Sequence, residues 1–265
     1  MPSIEKTIDI LLDVYAYNHA YKISKDLPDF PPKALYLIEA LKERRELNVT
    51  FLFERQEQSR SIEEEYQVNL LLNEVKADEQ IANYLLDLEV KVKNGEIIDF
   101  VRSVSPLLYR LFLRLIKGQI TSFETYVHDS KNDRYDTWNF PAMTQANNPI
   151  FNAYLSKRQS RYVTTGSLAE LLVLSDLPQE IKDLVVSLRQ FEKSVRNPLA
   201  HLIKPFDEEE LHRTTHFSSQ AFLESLISLA TYSGVAYSRE PFYFDQINTI
   251  IEHQMSLVKT TKNME

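Results

Sequence analysis

Apolar residues recur every three or four positions through most of the chain, which is the period of one face of an α-helix. The clearest stretch runs from Leu177 to Phe206, LPQEIKDLVVSLRQFEKSVRNPLAHLIKPF. Its apolar residues share one helix face: Ile181, Leu184, Val185, Leu188, Phe191 and Val195. Helices and strands do not alternate anywhere along the sequence. The pattern therefore predicts an all-α protein.

The same periodicity, with caps and breakers, predicts the other helices. They are expected at residues 3–25, 32–47, 48–77, 78–93, 96–117, 149–158, 167–174, 218–233 and 244–259, with a further helix capped by Asp207. The helix at 96–117, which Gly118 is expected to close, is apolar on most sides and should lie in the middle of a bundle.

A polar stretch at residues 126–149 interrupts this pattern and contains Pro141 and Asn147-Asn148-Pro149. Polar, proline-containing segments are typical of loops between domains. The sequence thus predicts a helical linker domain at 1–145, followed by a helical bundle at 146–265.

Composition excludes several classes of protein. The chain has only four glycines and no glycine-rich loop, which argues against a dinucleotide-binding or P-loop enzyme. It has no cysteine, so neither disulfides nor cysteine metal sites are expected. The N-terminus lacks the order of a signal peptide, and no apolar run approaches the length of a membrane span. We therefore expect a soluble, cytoplasmic protein with no membrane partner.

The charge is unevenly distributed. The net charge is −8, which gives no overall attraction for nucleic acid. Between Phe151 and Pro205, however, the sequence contains eight basic and five acidic residues. This local surplus indicates either a basic pocket on an acidic body or ordinary solvated helix faces.

The Asn197-Pro198 pair within the long amphipathic stretch predicts a break in the helix, because proline disfavours helical angles in the residue before it. Asn197 would cap a second helix, with Pro198 as its first residue and His201 in its opening turn. In an unbroken helix Arg196 and His201 would lie about 140° apart and about 7.5 Å apart along the axis. A bend would instead direct both side chains into one hollow.

Two interpretations of this segment follow from the residues alone. In one, Asn197-Pro198 is an ordinary helix start and Arg196 pairs with Glu192, four residues earlier. In the other, the guanidinium of Arg196 binds phosphate, the amide of Asn197 positions a reacting group and the imidazole of His201 transfers a proton. A helix N-terminus and the nearby Arg196 would favour neutral His201, which suits a general base.

The segment Arg196 to His201, RNPLAH, resembles the Arg-x(4–6)-His signature of HEPN ribonucleases, including the frequent Asn after the Arg. The surrounding helices look like the C-terminal region of the ancillary ribonuclease of type III-A CRISPR systems, the Csm type. In that family a helical linker precedes the HEPN domain, and residues 1–145 are similar to it. The resemblance implies that residues 146–265 form a HEPN bundle.

The resemblance also implies an activity. It is metal-independent, cofactor-free cleavage of single-stranded RNA by attack of the 2′-hydroxyl, with Arg196, Asn197 and His201 as catalytic residues. HEPN proteins typically build a composite site in a homodimer, so the resemblance implies a dimer. The likeness to the type III-A ribonuclease implies a role in type III CRISPR antiviral defence. Two alternatives stay open: a non-catalytic helical interaction or regulatory module, and a HEPN toxin of a toxin–antitoxin pair.

Ribonucleases of this type begin with an α/β sensor domain, called CARF, that binds cyclic oligoadenylate. This sequence is expected to start where such a sensor would end, either as a truncated form or as a naturally short relative. Cyclic oligoadenylate is therefore expected as a partner only through a sensor domain absent from this chain.

Overall fold

The computed structural model describes residues 4–129, 136–157, 160–201 and 205–262, without the side chains of residues 196–201 and 258–262. Its helices, in chain order, are α1 (Ile4–Asp13), α2 (Tyr17–Ser24), α3 (Pro32–Arg45), α4 (Thr50–Glu54), α5 (Gln56–Tyr66), α6 (Lys76–Lys93), α7 (Ile97–Gln119), α8 (Phe140–Gln145), α9 (Pro149–Leu155), α10 (Thr165–Leu174), α11 (Gln179–His201), α12 (Glu208–Thr215), α13 (Ser219–Tyr232) and α14 (Tyr243–Lys262).

Extended structure in the described ranges is limited to one small antiparallel pair, β1 (Val127–His128) with β2 (Thr137–Trp138), and an isolated antiparallel bridge between Thr137 and Tyr162. A 3₁₀ helix at Phe123–Tyr126 precedes β1. The prediction of an all-α protein is confirmed. No described helix is both long enough and apolar enough to cross a lipid bilayer.

The chain folds into two compact units. The first contains Met1–Asn94 and Gly234–Glu265, and the second contains Gly95–Ser233. The predicted boundary after residue 145 therefore lies inside the second unit, and α14 belongs with the N-terminal helices. Packing decides this division, because the aromatic start of α14 completes the core of the first unit. The functional division into linker and HEPN domains stays a prediction.

In the first unit, α3 packs against α2 and α14, and its Arg44 is fully buried. The Arg44 guanidinium binds Glu79, donates to Asn83 Oδ1 at 2.9 Å and donates to the carbonyl of Leu70. The second oxygen of Glu79 accepts the backbone N–H groups of Leu72 and Asn73. These bonds fix the non-helical segment before α6.

Two of the long helices predicted from the sequence are interrupted in the structure. The helix predicted at 48–77 is α4 and α5, and it ends at Gln67, whose φ is +53°. The helix predicted at 3–25 is α1 and α2, separated at Tyr15 with φ +57°. Tyr15 is buried, and its hydroxyl donates to Asp245 at 2.7 Å. Contacts with residues distant in sequence hold Tyr15 and the segment that follows Gln67.

In the second unit, α7 is the central helix, as its apolar sequence predicts. It packs against α10, α11 and α13. Its buried side chains are Ile97, Phe100, Val101, Val104, Leu107, Leu108, Leu111, Phe112, Leu115 and Ile116. Gly118 does not end α7, which continues to Gln119.

Candidate active site on helix α11

The apolar face of α11 is buried as predicted. Five of its six apolar residues have relative exposures of 8% or less, and Leu184 is partly exposed. The five are Ile181, Val185, Leu188, Phe191 and Val195. Phe191 stacks on Phe222 of α13 with ring centroids 3.5 Å apart and planes 17° apart. This packing fixes the turns of α11 that lead into the RNPLAH segment.

The predicted break at Asn197-Pro198 is wrong, because α11 runs without interruption from Gln179 to His201. Pro198 removes one backbone donor, but it lies in the last turns of the helix. Extending a helix that is already held by Phe191 and Val195 costs less than nucleating a new one. Asn197 is therefore an interior residue of α11 and not an N-cap.

An unbroken α11 changes the expected geometry of the motif. The positions of Arg196 and His201 are about 140° apart around the helix axis, so no bend brings them together within one chain. His201 also stands at the end of the described helix rather than in an opening turn. The argument for a neutral His201 that rested on a helix N-terminus therefore does not hold.

The side chains of Arg196, Asn197 and His201 lie outside the described residues. Their proposed catalytic roles therefore stay predictions, and so does the alternative pairing of Arg196 with Glu192. Glu192 itself is 1% exposed, and its Oε2 accepts a hydrogen bond from Nη1 of Arg189 at 2.7 Å. Its Oε1 accepts no hydrogen bond from the part of the chain that is described.

Arg189 is positioned against the start of α10. A Cβ atom on Gly166 would lie 3.2 Å from Nη2 of Arg189 and 3.4 Å from its Nε. The absence of a side chain at Gly166 therefore leaves room for the guanidinium. Thr164 and Ser167 form a capping box at this end of α10 and hold the backbone around Gly166 in place.

A cavity of about 410 Å³ lies between α10 and α11. Three basic side chains line it, Lys157, Arg189 and Lys193, together with the acidic Glu170. Tyr154 lies at the wall, and burial together with the nearby Glu170 carboxylate raises its pKa to about 12, which keeps the phenol neutral. Three of the eight basic residues of the local charge surplus line this cavity, and both interpretations of the surplus stay open.

Sequence reasoning missed this cavity as a functional feature. The available signal was the four-residue spacing of Arg189 and Lys193, which places both on one face of α11. Lys157 follows α9, and nothing in its spacing relates it to α11. No group of three or more His, Asp or Glu side chains suited to a metal ion occurs among the residues with described positions.

Residues 70–252 match the family described as the Cas_Csm6 HEPN domain, and this match covers more than half of the chain. The chain belongs to the Cas_Csm6 HEPN domain family. The resemblance inferred from RNPLAH is thereby confirmed at the level of the family. The match includes residues 196–201 and extends into both compact units.

Comparison with solved structures supports the same fold. Csm6 from Enterococcus italicus, solved bound to cyclic hexa-2′-fluoro-hexa-dAMP, superposes with a TM-score of 0.67 at 13% sequence identity. The superposition covers 95% of this chain and 57% of that protein, so the chain spans little more than half of its length. No curated protein sequence matches the chain significantly.

Proposed function

We propose that this Cas_Csm6 HEPN family member is a metal-independent endoribonuclease that cleaves single-stranded RNA, with Arg196, Asn197 and His201 as its catalytic residues. The observation that carries the proposal is the family match, which spans the RNPLAH segment on α11. Membership of a family named for a CRISPR-associated protein favours a role in type III CRISPR antiviral defence over a toxin–antitoxin pair.

The proposed reaction is internal transfer. The 2′-hydroxyl of one nucleotide attacks the adjacent phosphorus while its proton passes to a general base. The bond to the 5′-oxygen of the next nucleotide breaks, and a general acid protonates that oxygen. The products are a 2′,3′-cyclic phosphate and a 5′-hydroxyl. Arg196 would bind the phosphate oxygens as negative charge develops, and Asn197 would position the sugar or an imidazole.

A homodimer would supply both proton-transfer groups. One chain contributes a single His201, and in an unbroken α11 the positions of Arg196 and His201 diverge by about 140°. A two-fold axis beside α11 would bring two copies of the motif into one cleft. One His201 would then act as the base and the other as the acid.

The unbroken helix also favours one rival, a non-catalytic helical module. Without a bend, the positions of Arg196 and His201 in a single chain lie on different faces of α11. The rival predicts a monomer, or a dimer that does not join two α11 helices, and no RNA cleavage. Cyclic oligoadenylate remains a proposed partner only through a sensor domain outside this sequence.

Analysis of the cleavage products of end-labelled single-stranded RNA, with and without EDTA, tests the proposal. Cleavage should persist in EDTA and leave 5′-hydroxyl and 2′,3′-cyclic phosphate ends. Products with a 3′-hydroxyl, or activity that EDTA abolishes, would contradict internal transfer without a metal.

A further inference from the structure

We infer that the cavity between α10 and α11 binds one nucleotide of the RNA strand next to the scissile phosphate, with Lys157, Arg189 and Lys193 as its phosphate-binding groups. This inference rests on the proposed ribonuclease function. It adds a substrate subsite that the RNPLAH segment does not include.

The charge of the cavity suits a phosphate. Its three basic side chains outnumber the single carboxylate of Glu170, in a protein whose net charge is −8. Within the described structure, the ammonium groups of Lys157 and Lys193 have no hydrogen-bond or ion-pair partner, and both lysines are exposed. Two unpaired cations at one cavity attract an anion that the rest of the surface repels.

Arg189 makes the cavity a preorganised site rather than a patch of mobile lysines. Its Nη1 is held by the buried carboxylate of Glu192, and its remaining guanidinium atoms lie beside Gly166. A guanidinium fixed in this way loses little conformational freedom when it binds a phosphate oxygen. The N-terminus of α10 adds backbone N–H groups at the same point.

The walls suit the rest of a nucleotide. Val173 and Val186 line the cavity with relative exposures of 40% and 52%, and Leu174, the last residue of α10, also lines it. A volume of about 410 Å³ falls within the range of small-molecule pockets. An apolar wall beside the fixed guanidinium of Arg189 accommodates a base or ribose next to its phosphate.

Helix register relates the cavity to the motif. Arg189, Lys193 and Arg196 occupy positions i, i+4 and i+7 of one unbroken helix, which share a face. At about 1.5 Å per residue, Lys193 precedes Arg196 by about 4.5 Å along the axis and Arg189 precedes it by about 10.5 Å. An RNA strand that follows this face would reach the cavity about one nucleotide from the scissile phosphate.

Binding of a 2′-O-methyl RNA oligonucleotide tests the inference, because this probe lacks the attacking hydroxyl and stays intact. Its affinity is measured by fluorescence anisotropy over a range of salt concentrations for the wild type and for Lys157→Ala/Lys193→Ala. We expect the variant to bind on the order of tenfold more weakly at low salt, with a salt slope shallower by about 1.4 for two lost phosphate contacts.

Two further variants serve as controls. Arg102→Ala/Arg110→Ala removes two positive charges from the exposed side of α7, outside the cavity, and should keep the wild-type affinity. Lys157→Arg/Lys193→Arg should also keep it. Melting temperatures establish that every variant is folded.

The outcomes separate the two proposals. If the wild type cleaves RNA and the cavity variant binds the probe with unchanged affinity and slope, the subsite is overturned and the ribonuclease proposal stands. If Arg102→Ala/Arg110→Ala loses as much affinity as the cavity variant does, the subsite is also overturned, because the loss then reflects a general effect of charge. If the wild type neither cleaves RNA nor binds the probe, both proposals fall.

Discussion

Nη1 of Arg189 lies 2.7 Å from Oε2 of Glu192, three residues further along α11, and the glutamate is 1% exposed. A buried carboxylate is tolerated when an opposite charge pairs with it. Arg189 therefore compensates the buried charge of Glu192 just before the RNPLAH segment, and the pair also fixes Arg189 at the edge of the cavity.

Arg189→Met should lower the free energy of unfolding by about 2 kcal/mol. This is less than the 3–5 kcal/mol typical of a fully buried pair, because the Arg189 side chain is 32% exposed. Arg189→Met/Glu192→Leu should recover most of the loss, since neither charge then remains unpaired. Urea denaturation measures both values. A double variant as unstable as the single one would show that packing, not charge, accounts for the loss.

Much of the fold was predictable because its signals are local. Asp207 caps α12 as its sequence position predicts, and α13 begins directly after Ser218, where its helix was predicted to start. Gly95, with φ +71°, follows the C-cap of α6 as the Asn94-Gly95 pair predicts. Each of these signals acts within one turn of a helix.

The errors arise where distant residues decide the structure. The carboxylate of Glu79, paired with the buried Arg44, holds residues 72 and 73 out of helix, and the helical periodicity gives no sign of it. Asn197-Pro198 shows the opposite case, in which a strong local breaker lies within a helix that tertiary packing holds. The cavity joins Lys157, Gly166 and Arg189 from three parts of the chain.

Glu252 provides a prediction for pH dependence. Partial burial, together with the nearby carboxylates of Asp9 and Asp13, raises the pKa of Glu252 in the folded protein. The folded state therefore holds this proton more tightly than the unfolded state does. Its contribution to stability is complete below the unfolded pKa and is lost as the pH rises through the folded pKa.

Glu252→Gln should consequently raise the stability at pH 7, by no more than about 0.5 kcal/mol for a surface position. The gain should shrink as the pH falls below the unfolded pKa. Thermal melting at pH 7 and pH 4 measures it, with Glu54→Gln, at an exposed position on α4, as the control. A gain that is equal at both pH values would contradict the electrostatic explanation.

Dimerisation is the next prediction, because each copy of the RNPLAH motif offers a single imidazole, that of His201. Light scattering should give a mass twice the 31.0 kDa of one chain. In heterodimers of the wild type with His201→Ala, a composite site holds only one of its two imidazoles. Their cleavage rate should fall close to that of the His201→Ala homodimer, whereas independent sites would retain about half of the wild-type rate.

The central claim is that His201 transfers a proton during RNA cleavage. Its most direct test is the rate of cleavage of a labelled single-stranded RNA in EDTA by the wild type and by His201→Ala at matched folded concentration. We expect a loss of about 10²- to 10⁴-fold with an unchanged melting temperature. Wild-type cleavage by His201→Ala, or no cleavage by either protein, would contradict it.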